Sequence, residues 1–208
     1  MQAVTDAGVG ACGYDLIYYA KCKGVTVGFV SFDQWLGTDS DIERVIKEAR
    51  PNCDLLIVSY HGGVENTHSV SDAVRHAGRL CIDLGADLVI GNHSHMYSGI
   101  ELYKGKYIIG SLGNFCFGGN LRPSEYTCAI YRQAFTVYPD GTVEDAGIDI
   151  LPAQVGSRRN VNDCQPSLIT SEYEAAHLFQ SILHLGNFKA GSVKWLDDSF
   201  AVKNGLNK

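Results

Sequence analysis

The stretch CDLLIVSYHGG, residues 53–63, decides the fold of this chain. Its first eight residues form an almost continuous apolar run, which is typical of a strand buried on both faces of a parallel sheet. The run ends at His61, and Gly62 and Gly63 then let the backbone turn close to a ligand without a side-chain clash. Because sheets buried on both faces need helices to cover them, the stretch predicts an α/β fold.

Strands and helices alternate on both sides of this stretch. A glycine-bounded, β-rich run at 24–32 and an amphipathic segment at 40–50 precede it, whereas a second amphipathic segment at 70–84 and an apolar run at 86–91 follow it. Right-handed crossovers join neighbouring parallel strands. We therefore expect the three strands, with 54–60 among them, to lie in one sheet that has both helices on one face.

The second half of the chain has a different pattern. Residues 98–151 contain consecutive β-rich runs, with one hairpin turn at 104–106 and another at 139–141. These strands are predicted to form a further β layer. The polar segment 152–170 is predicted to be a long loop, and 171–185 a late helix. With no internal repeat or linker visible, residues 1–208 are predicted to be a single domain.

The composition excludes several classes of protein. The net charge of −6 argues against a nucleic-acid partner, because phosphate binding needs a basic surface. No apolar stretch approaches the ~20 residues that span a bilayer. The first fifteen residues lack the basic and apolar regions of a signal peptide. From the sequence alone we therefore expect neither a membrane span nor a signal peptide.

The cysteines indicate a reducing compartment. There are seven of them, an odd number, and none forms a C-x-x-C pair, which argues against a zinc ribbon and against a complete disulfide framework. Cys81 and Cys128 sit inside apolar runs, where a reduced cysteine packs as a small hydrophobic residue. The predicted environment is one in which thiols stay reduced.

Three histidines follow predicted buried strands. His61 ends the run 53–60, and His93 and His95 follow the run 86–91. Because sites in open α/β sheets form at the carboxyl ends of the strands, the three imidazoles are expected to converge. Neutral imidazole is a good ligand for zinc, manganese or iron, so the pattern predicts a divalent metal site.

A structural role remains open for each of these histidines, because a histidine at a strand end commonly bonds to water or to a main-chain carbonyl. The four other histidines lie on or next to amphipathic helices. We expect them to be ordinary surface or packing residues: His68, His76, His177 and His184.

Four motifs in order resemble one known family. DLLIVSYHGGVE, then GADLVIGNHSH, GIELYKG and SLGNF, resemble the capsule and poly-γ-glutamate synthesis proteins of the CapA/PgsA type, within the calcineurin-like metallophosphoesterases. The resemblance covers about residues 24–120. It implies an α/β fold with a partial metallophosphoesterase-like β-sandwich flanked by helices, the C-terminal half of an αββα architecture. Members of this family are often associated with the cell envelope.

The resemblance also implies site residues. His61, His93 and His95 match family histidines that bind a two-metal centre. Glu65 matches the glutamate that follows the first histidine, and Asn114 lies in the SLGNF motif. These two residues and Asn92 are expected to support the metal ligands or to face the substrate.

Two departures from the family pattern bear on the site. Gly62 stands where the family has tryptophan, which is expected to leave a gap beside the histidines. Asn92 and Ser94 stand where histidine and proline are common.

A second alignment uses the superfamily box G-N-H-[D/E], in which Asn92 would bind metal and His93 would be catalytic, assisting the leaving group. Because Ser94 follows His93 instead of an acid, the G-x-H-x-H alignment fits better.

The motifs that supply the acidic half of such a centre, G-D and N-N-H, do not occur before residue 24. A pair of cations ~3.5–4 Å apart needs a negatively charged bridge, which three neutral histidines do not provide. We therefore expect a C-terminal half-domain that binds at most one ion and shows weak activity or none. The expected partners are an upstream half-domain or further copies of the chain.

Two functions from different classes follow. One is a metal-dependent phosphoesterase domain linked to capsule or poly-γ-glutamate biosynthesis, acting on a phosphorylated or polymer-related small substrate. The alternative is a non-catalytic module that binds a ligand or a partner through the same histidines.

Overall fold

A computed structural model describes residues 2–208. The helices are α1 (Gln2–Asp6), α2 (Asp39–Ala49), α3 (Asp72–Asp83), α4 (Glu172–Leu185) and α5 (Phe200–Lys203). The strands are β1 (Tyr18–Cys22), β2 (Val25–Asp33), β3 (Leu55–His61), β4 (Leu88–Asn92), β5 (Ile100–Tyr103), β6 (Lys106–Ile109), β7 (Thr127–Val137), β8 (Val143–Gln154) and β9 (Ser167–Leu168). Short 3₁₀ helices occupy Arg50–Asn52 and Ala190–Ser192.

The first sheet has six strands in the order β1-β2-β3-β4-β6-β5. Strands β2, β3, β4 and β6 run parallel, and β1 and β5 pair antiparallel at the two edges. Val30, Val58 and Val89 stand in one row across the centre. The predicted parallel arrangement of the three strands is therefore confirmed.

Helices α2 and α3 cover one face of this sheet, as predicted. Val45 and Ile46 of α2 are buried with Leu56 and Val58 of β3 in a first core that also takes in α3. Fully burying an aliphatic side chain of this size contributes about 1.5–3 kcal/mol. Both helices begin at a side-chain cap, Thr38 for α2 and Ser71 for α3.

The hairpin of β5 and β6 corrects one prediction. It extends the first sheet instead of joining a further β layer, because β6 pairs in parallel with β4. The cause is visible in its short apolar run: Ile108 packs in the first core, whereas Tyr107 and Ile109 pack in a second core on the other face. A strand buried on both faces has to lie inside a covered sheet.

A second sheet, β7-β8-β9, covers that other face. Its residues Ile148 and Ile150 pack with Ile109 of the first sheet and with Phe179 of α4. The predicted β layer is thus present from β7 onward, and the α/β class with two packed sheets and flanking helices is confirmed. The predicted loop at 152–170 is wrong at both ends, because β8 runs to Gln154 and β9 lies within it.

No helix in residues 2–208 is long and apolar enough to cross a bilayer. All seven cysteines carry free thiols, and Cys81 and Cys128 are fully buried. Burial raises the pKa of each of these two thiols to about 12. The compartment itself stays a prediction.

Candidate functional site

The carboxyl ends of three parallel strands form one row. Asp33 at the end of β2 pairs in register with His61 at the end of β3, which pairs with Asn92 at the end of β4. Residues in register project from the same face of a sheet, so the row presents a carboxylate, an imidazole and an amide together. This edge is where ligands bind in open α/β sheets.

His61 and His93 are in direct contact. Nε2 of His61 lies 3.1 Å from Nδ1 of His93, and the ring centroids are 4.8 Å apart. Two imidazole nitrogens that bind one tetrahedral zinc ion lie about 3.4 Å apart, given Zn–N bonds of about 2.1 Å. The observed spacing is therefore close to that of two ligands sharing an ion.

His95 lies next to this pair but is held by other residues. Its ring centroid is 6.4 Å from that of His93 and 5.1 Å from that of Phe117. Nδ1 of His95 lies 2.7 Å from Oδ1 of Asn114, whose Nδ2 donates to the main-chain carbonyl of His95 at 3.3 Å. Asn114 therefore fixes the orientation of His95, and its role in a site stays a prediction.

Over residues 2–208, no three histidine, cysteine, aspartate or glutamate side chains stand in a geometry that holds an ion. The structure brings His61 and His93 into contact, and it leaves the ring centroid of His95 6.4 Å from that of His93. A shared three-histidine site thus stays a prediction, and it requires the His95 side chain to move.

The backbone that carries these histidines is strained. His93 has φ = 103° and His95 has φ = 60°, both in the left-handed region that favours glycine. Gly91, in β4 just before this loop, lies directly against the main-chain carbonyl of Gly110, leaving no room for a Cβ. Asn66 N–H also donates to the carbonyl of Ser94 at 2.8 Å, which ties the loop after β3 to the loop after β4.

The other predicted site residues are placed differently. Asn92 donates from Nδ2 to Oγ of Ser59 at 3.3 Å, on the neighbouring strand. Glu65 is exposed in the loop after β3 and forms no hydrogen bond or ion pair with any described residue. No hydrogen bond or ion pair therefore joins Glu65 to the histidines, and its role stays a prediction.

The expected gap at Gly62 is not present. A Cβ on Gly62 would meet Oε1 of Gln34 at 2.8 Å, and Cβ of Gln34 and Cε1 of Tyr60 at 2.9 Å. Gln34 itself accepts from Gly63 N–H at 2.8 Å. The space beside Gly62 is thus filled by a side chain from the loop after β2.

An aromatic ring does line the site, and it comes from the same loop. The Trp35 ring lies edge-on to His93, with centroids 4.6 Å apart, and 6.1 Å from the ring of His61. Its side chain is half exposed. Trp35 therefore supplies an aromatic wall beside the histidines.

A pocket of about 450 Å³ opens beside His61. The residues that line it include Ser31, Asp33, Tyr14 and Arg44. Arg44 Nη2 contacts Asp15 Oδ1 at 2.6 Å in an exposed ion pair. A guanidinium that lines a pocket can bind carboxylate or phosphate in two-point contacts.

Asp33 and Trp35 were not predicted from the sequence to be site residues. Asp33 was detectable, because the rule that selected His61 also applies to the residue that ends the strand before it. Trp35 carried no signal of this kind, since its contact with His93 depends on how the loop after β2 folds over its neighbour.

The side chains at this site supply only part of the ligand set that one metal ion needs. His61 and His93 offer two imidazole nitrogens at ligand spacing, whereas a catalytic zinc is held by three protein ligands. A two-metal centre does not fit these residues alone, because no carboxylate bridges them within the described chain.

Comparison with known proteins assigns the family. A family model described as bacterial capsule synthesis protein PGA_cap matches residues 14–119, slightly more than half of the chain. The chain belongs to this family. The match includes the strand-end row, all three site histidines and Asn114.

Two curated proteins are similar to this PGA_cap chain. The PGA biosynthesis protein CapA of Bacillus subtilis is 33% identical over 130 residues, covering 52% of this chain and 34% of the relative. The capsule biosynthesis protein CapA of Bacillus anthracis is 27% identical over 151 residues, covering 71% of this chain and 34% of the relative. Each match thus spans about a third of the curated relative's length.

One solved structure, a hypothetical protein from Thermus thermophilus, aligns with 65% of the chain and 60% of its own length. Its TM-score is 0.45 and its identity 13%. This likeness is too weak to carry any argument about function.

Proposed function

We propose that this chain supplies the histidine side of a metal-dependent phosphoesterase centre that acts in capsule or poly-γ-glutamate biosynthesis. The observation that carries the proposal is the pairing of His61 Nε2 with His93 Nδ1 at 3.1 Å, at the carboxyl ends of adjacent parallel strands. Membership of the PGA_cap family and similarity to two CapA proteins support the pathway.

Each residue of the site has an expected role. His61 and His93 would hold a divalent ion such as zinc, manganese or iron, with His95 as a third ligand after a side-chain shift. A bound metal would polarise a phosphoryl oxygen as a Lewis acid. Arg44 would bind the charged group of the substrate in the pocket beside His61, and Trp35 would exclude water from one side.

The chain on its own is proposed to be weak or inactive. Phosphoryl transfer at a two-metal centre needs carboxylates that hold the cations, and each 1.36 kcal/mol of lost transition-state stabilisation costs a factor of ten in rate. The missing ligands would come from an upstream half-domain or from another copy of the chain. The substrate class would be a phosphoester or an acyl phosphate.

Metal titration of the purified chain tests the proposal. We expect isothermal titration with zinc or manganese to show at most one ion bound per chain, and His61→Ala or His93→Ala to weaken binding at least about tenfold. His76→Ala is the matched control, because His76 is exposed and bonded to Asp39 on the helical face. Equal metal binding in wild type and in both site variants would contradict the proposal.

Turnover of a phosphodiester substrate gives the second readout. With zinc, manganese or magnesium, the chain alone is expected to show no hydrolysis above background. Robust hydrolysis that is lost in His61→Ala would mean that the chain already contains a complete centre.

A non-catalytic binding module is the second candidate. It is favoured by the lack of a three-ligand group in the described part of the chain. The two candidates differ in their metal requirement. Binding of a short poly-γ-glutamate peptide that persists in a chelator, and is lost in His93→Ala, would favour the binding module.

A further inference from the structure

Two exposed cysteines stand at the contact between two loops beside His95. The loop 113–122 follows β6, and the loop 156–165 follows β8. Sγ of Cys116 lies 4.0 Å from the main-chain carbonyl oxygen of Cys164, and Sγ of Cys164 lies 3.8 Å from that of Phe117. Each sulfur therefore contacts the main chain of the opposite loop.

A buried asparagine holds the two loops together between these thiols. Nδ2 of Asn162 donates to the carbonyls of Phe117 at 2.7 Å and of Asn120 at 2.6 Å. Its Oδ1 accepts from Cys164 N–H at 3.3 Å. Because Asn162 is only 5% exposed, these hydrogen bonds are shielded from water and fix the position of both loops.

The other cysteines are worse placed to react. Burial raises the pKa of Cys12, Cys53, Cys81 and Cys128, which lowers the fraction of thiolate, the nucleophilic form. Cys22 is exposed, but it lies on β1 at the edge of the first sheet. Cys116 and Cys164 are thus the exposed pair whose sulfurs each contact the opposite loop.

We propose that Cys116 and Cys164 form an oxidisable pair whose disulfide fastens the loop 113–122 against the loop 156–165. The oxidant is a low-molecular-weight disulfide. The thiolate of one cysteine attacks it and releases one small thiol, and the second cysteine then attacks the mixed disulfide and releases another. The protein loses two protons and two electrons, and the oxidant is reduced to two thiols.

The disulfide would act on a part of the site. Loop 113–122 carries Asn114, which bonds to His95, and Phe117, which packs on the same ring. Fastening this loop at Cys116 would restrict the movement of both contacts. The pair is inferred from contacts that do not involve the metal ligands, so it can be tested separately from the proposed function.

Peptide mapping of the oxidised full-length chain tests the proposal. The reduced protein is incubated with oxidised glutathione under native conditions, remaining thiols are alkylated, and the digest is analysed by mass spectrometry without reduction. We expect one cross-linked peptide pair that joins Cys116 to Cys164. Glutathione adducts without this cross-link, or a cross-link of either residue to another cysteine, would overturn the proposal.

Cysteine-to-serine variants and amide hydrogen exchange test the pair and its effect on the loop. Cys116→Ser and Cys164→Ser should each abolish the cross-link, whereas Cys22→Ser should leave it unchanged. In the wild type, oxidation should slow amide hydrogen exchange in residues 113–122, and added dithiothreitol should reverse this. Unchanged exchange after complete cross-linking would overturn the claim that the disulfide fastens the loop.

Discussion

At the scale of single residues, the position after His61 shows how the site is rebuilt around a substitution. Glycine at 62 removes a ring that the family pattern contains, and Gln34 occupies the space beside it. Gln34 N–H also donates to the His61 carbonyl at 2.9 Å, so the loop after β2 is bonded to the end of β3 on both sides of Gly62. Trp35 then follows directly and reaches His93.

This arrangement makes Gly62 intolerant of a side chain. We expect Gly62→Ala to lower the free energy of unfolding by about 1–3 kcal/mol, because the new Cβ overlaps Gln34 and Tyr60. Gly118→Ala is the control, since nothing lies within 4 Å of a Cβ at that position. Urea unfolding measures both, and equal midpoints for the two variants would contradict the packing argument.

The left-handed backbone of His93 provides a second residue-scale prediction. A non-glycine residue at φ = 103° is strained, so His93→Gly should be more stable than His93→Ala by about 1 kcal/mol. Both variants lack the imidazole, so their difference isolates the backbone. Comparison of their thermal midpoints is the measurement; a His93→Ala variant as stable as His93→Gly would mean that the loop relaxes without cost.

How much of the site could be predicted differs from residue to residue. His61 and His93 follow from a rule of topology, because buried parallel strands deliver their last residues to one edge. The same rule could have found Asp33. Gln34 and Trp35 were beyond prediction, since their contacts depend on the path of a short loop across a neighbouring strand. No local pattern encodes such a path.

At the scale of elements, one carboxylate connects three of them. Asp87, just before β4, accepts from Arg50 in the 3₁₀ helix that follows α2, from Leu56 N–H in β3 and from Lys106 in β6. Its side chain is only 8% exposed. Removing it would leave two cations and a main-chain donor without their partner.

We therefore expect Asp87→Ala to lower the free energy of unfolding by about 3 kcal/mol, near the lower limit for a broken buried pair, because Arg50 and Lys106 are partly exposed. Asp83→Ala is the control, since its pair with Lys104 is exposed and should contribute little to stability. Urea titration of both variants decides the matter. A loss below about 1 kcal/mol in Asp87→Ala would show that water replaces its hydrogen bonds.

The elements that sequence analysis found and missed differ in periodicity and length. α2, α3 and α4 have apolar residues at helical spacing, and β2, β3 and β4 are apolar runs, so all six were predicted. Strand β1 was missed because its residues are mostly exposed, and β9 because it has only two residues. The hairpin of β5 and β6 was recognised, but its sheet was not, since a hairpin's own sequence does not specify which outer strand it pairs with.

At the scale of the whole molecule, exposed apolar side chains surround the histidine edge. They lie in the loops after β2, β3 and β6: Trp35, Leu36, Val64, Phe115 and Leu121. An apolar edge of this kind favours association with another protein surface. Further copies of the chain were among the partners expected from the sequence.

We expect sedimentation velocity to show a dimer or larger species at high protein concentration. Leu36→Glu should shift the distribution toward monomer, because it places a charge in the apolar edge. Leu168→Glu is the control, since Leu168 is similarly exposed but lies on β9 in the second sheet. Equal effects of both substitutions would indicate that association does not use the histidine edge.

The two cores also differ in when the growing polypeptide can complete them. Every buried residue of the first core lies between Val30 and Ile108, whereas the second core needs residues from Leu88 to Ala201. On the ribosome, the helix-covered face can therefore close while the opposite face, with Ile100, Tyr107 and Ile109, still lacks its partners. At synthesis rates of about 5–20 residues per second, that interval lasts about 5–20 seconds. The nascent chain thus exposes an aggregation-prone apolar surface for seconds, and during this interval it is a candidate substrate for a chaperone.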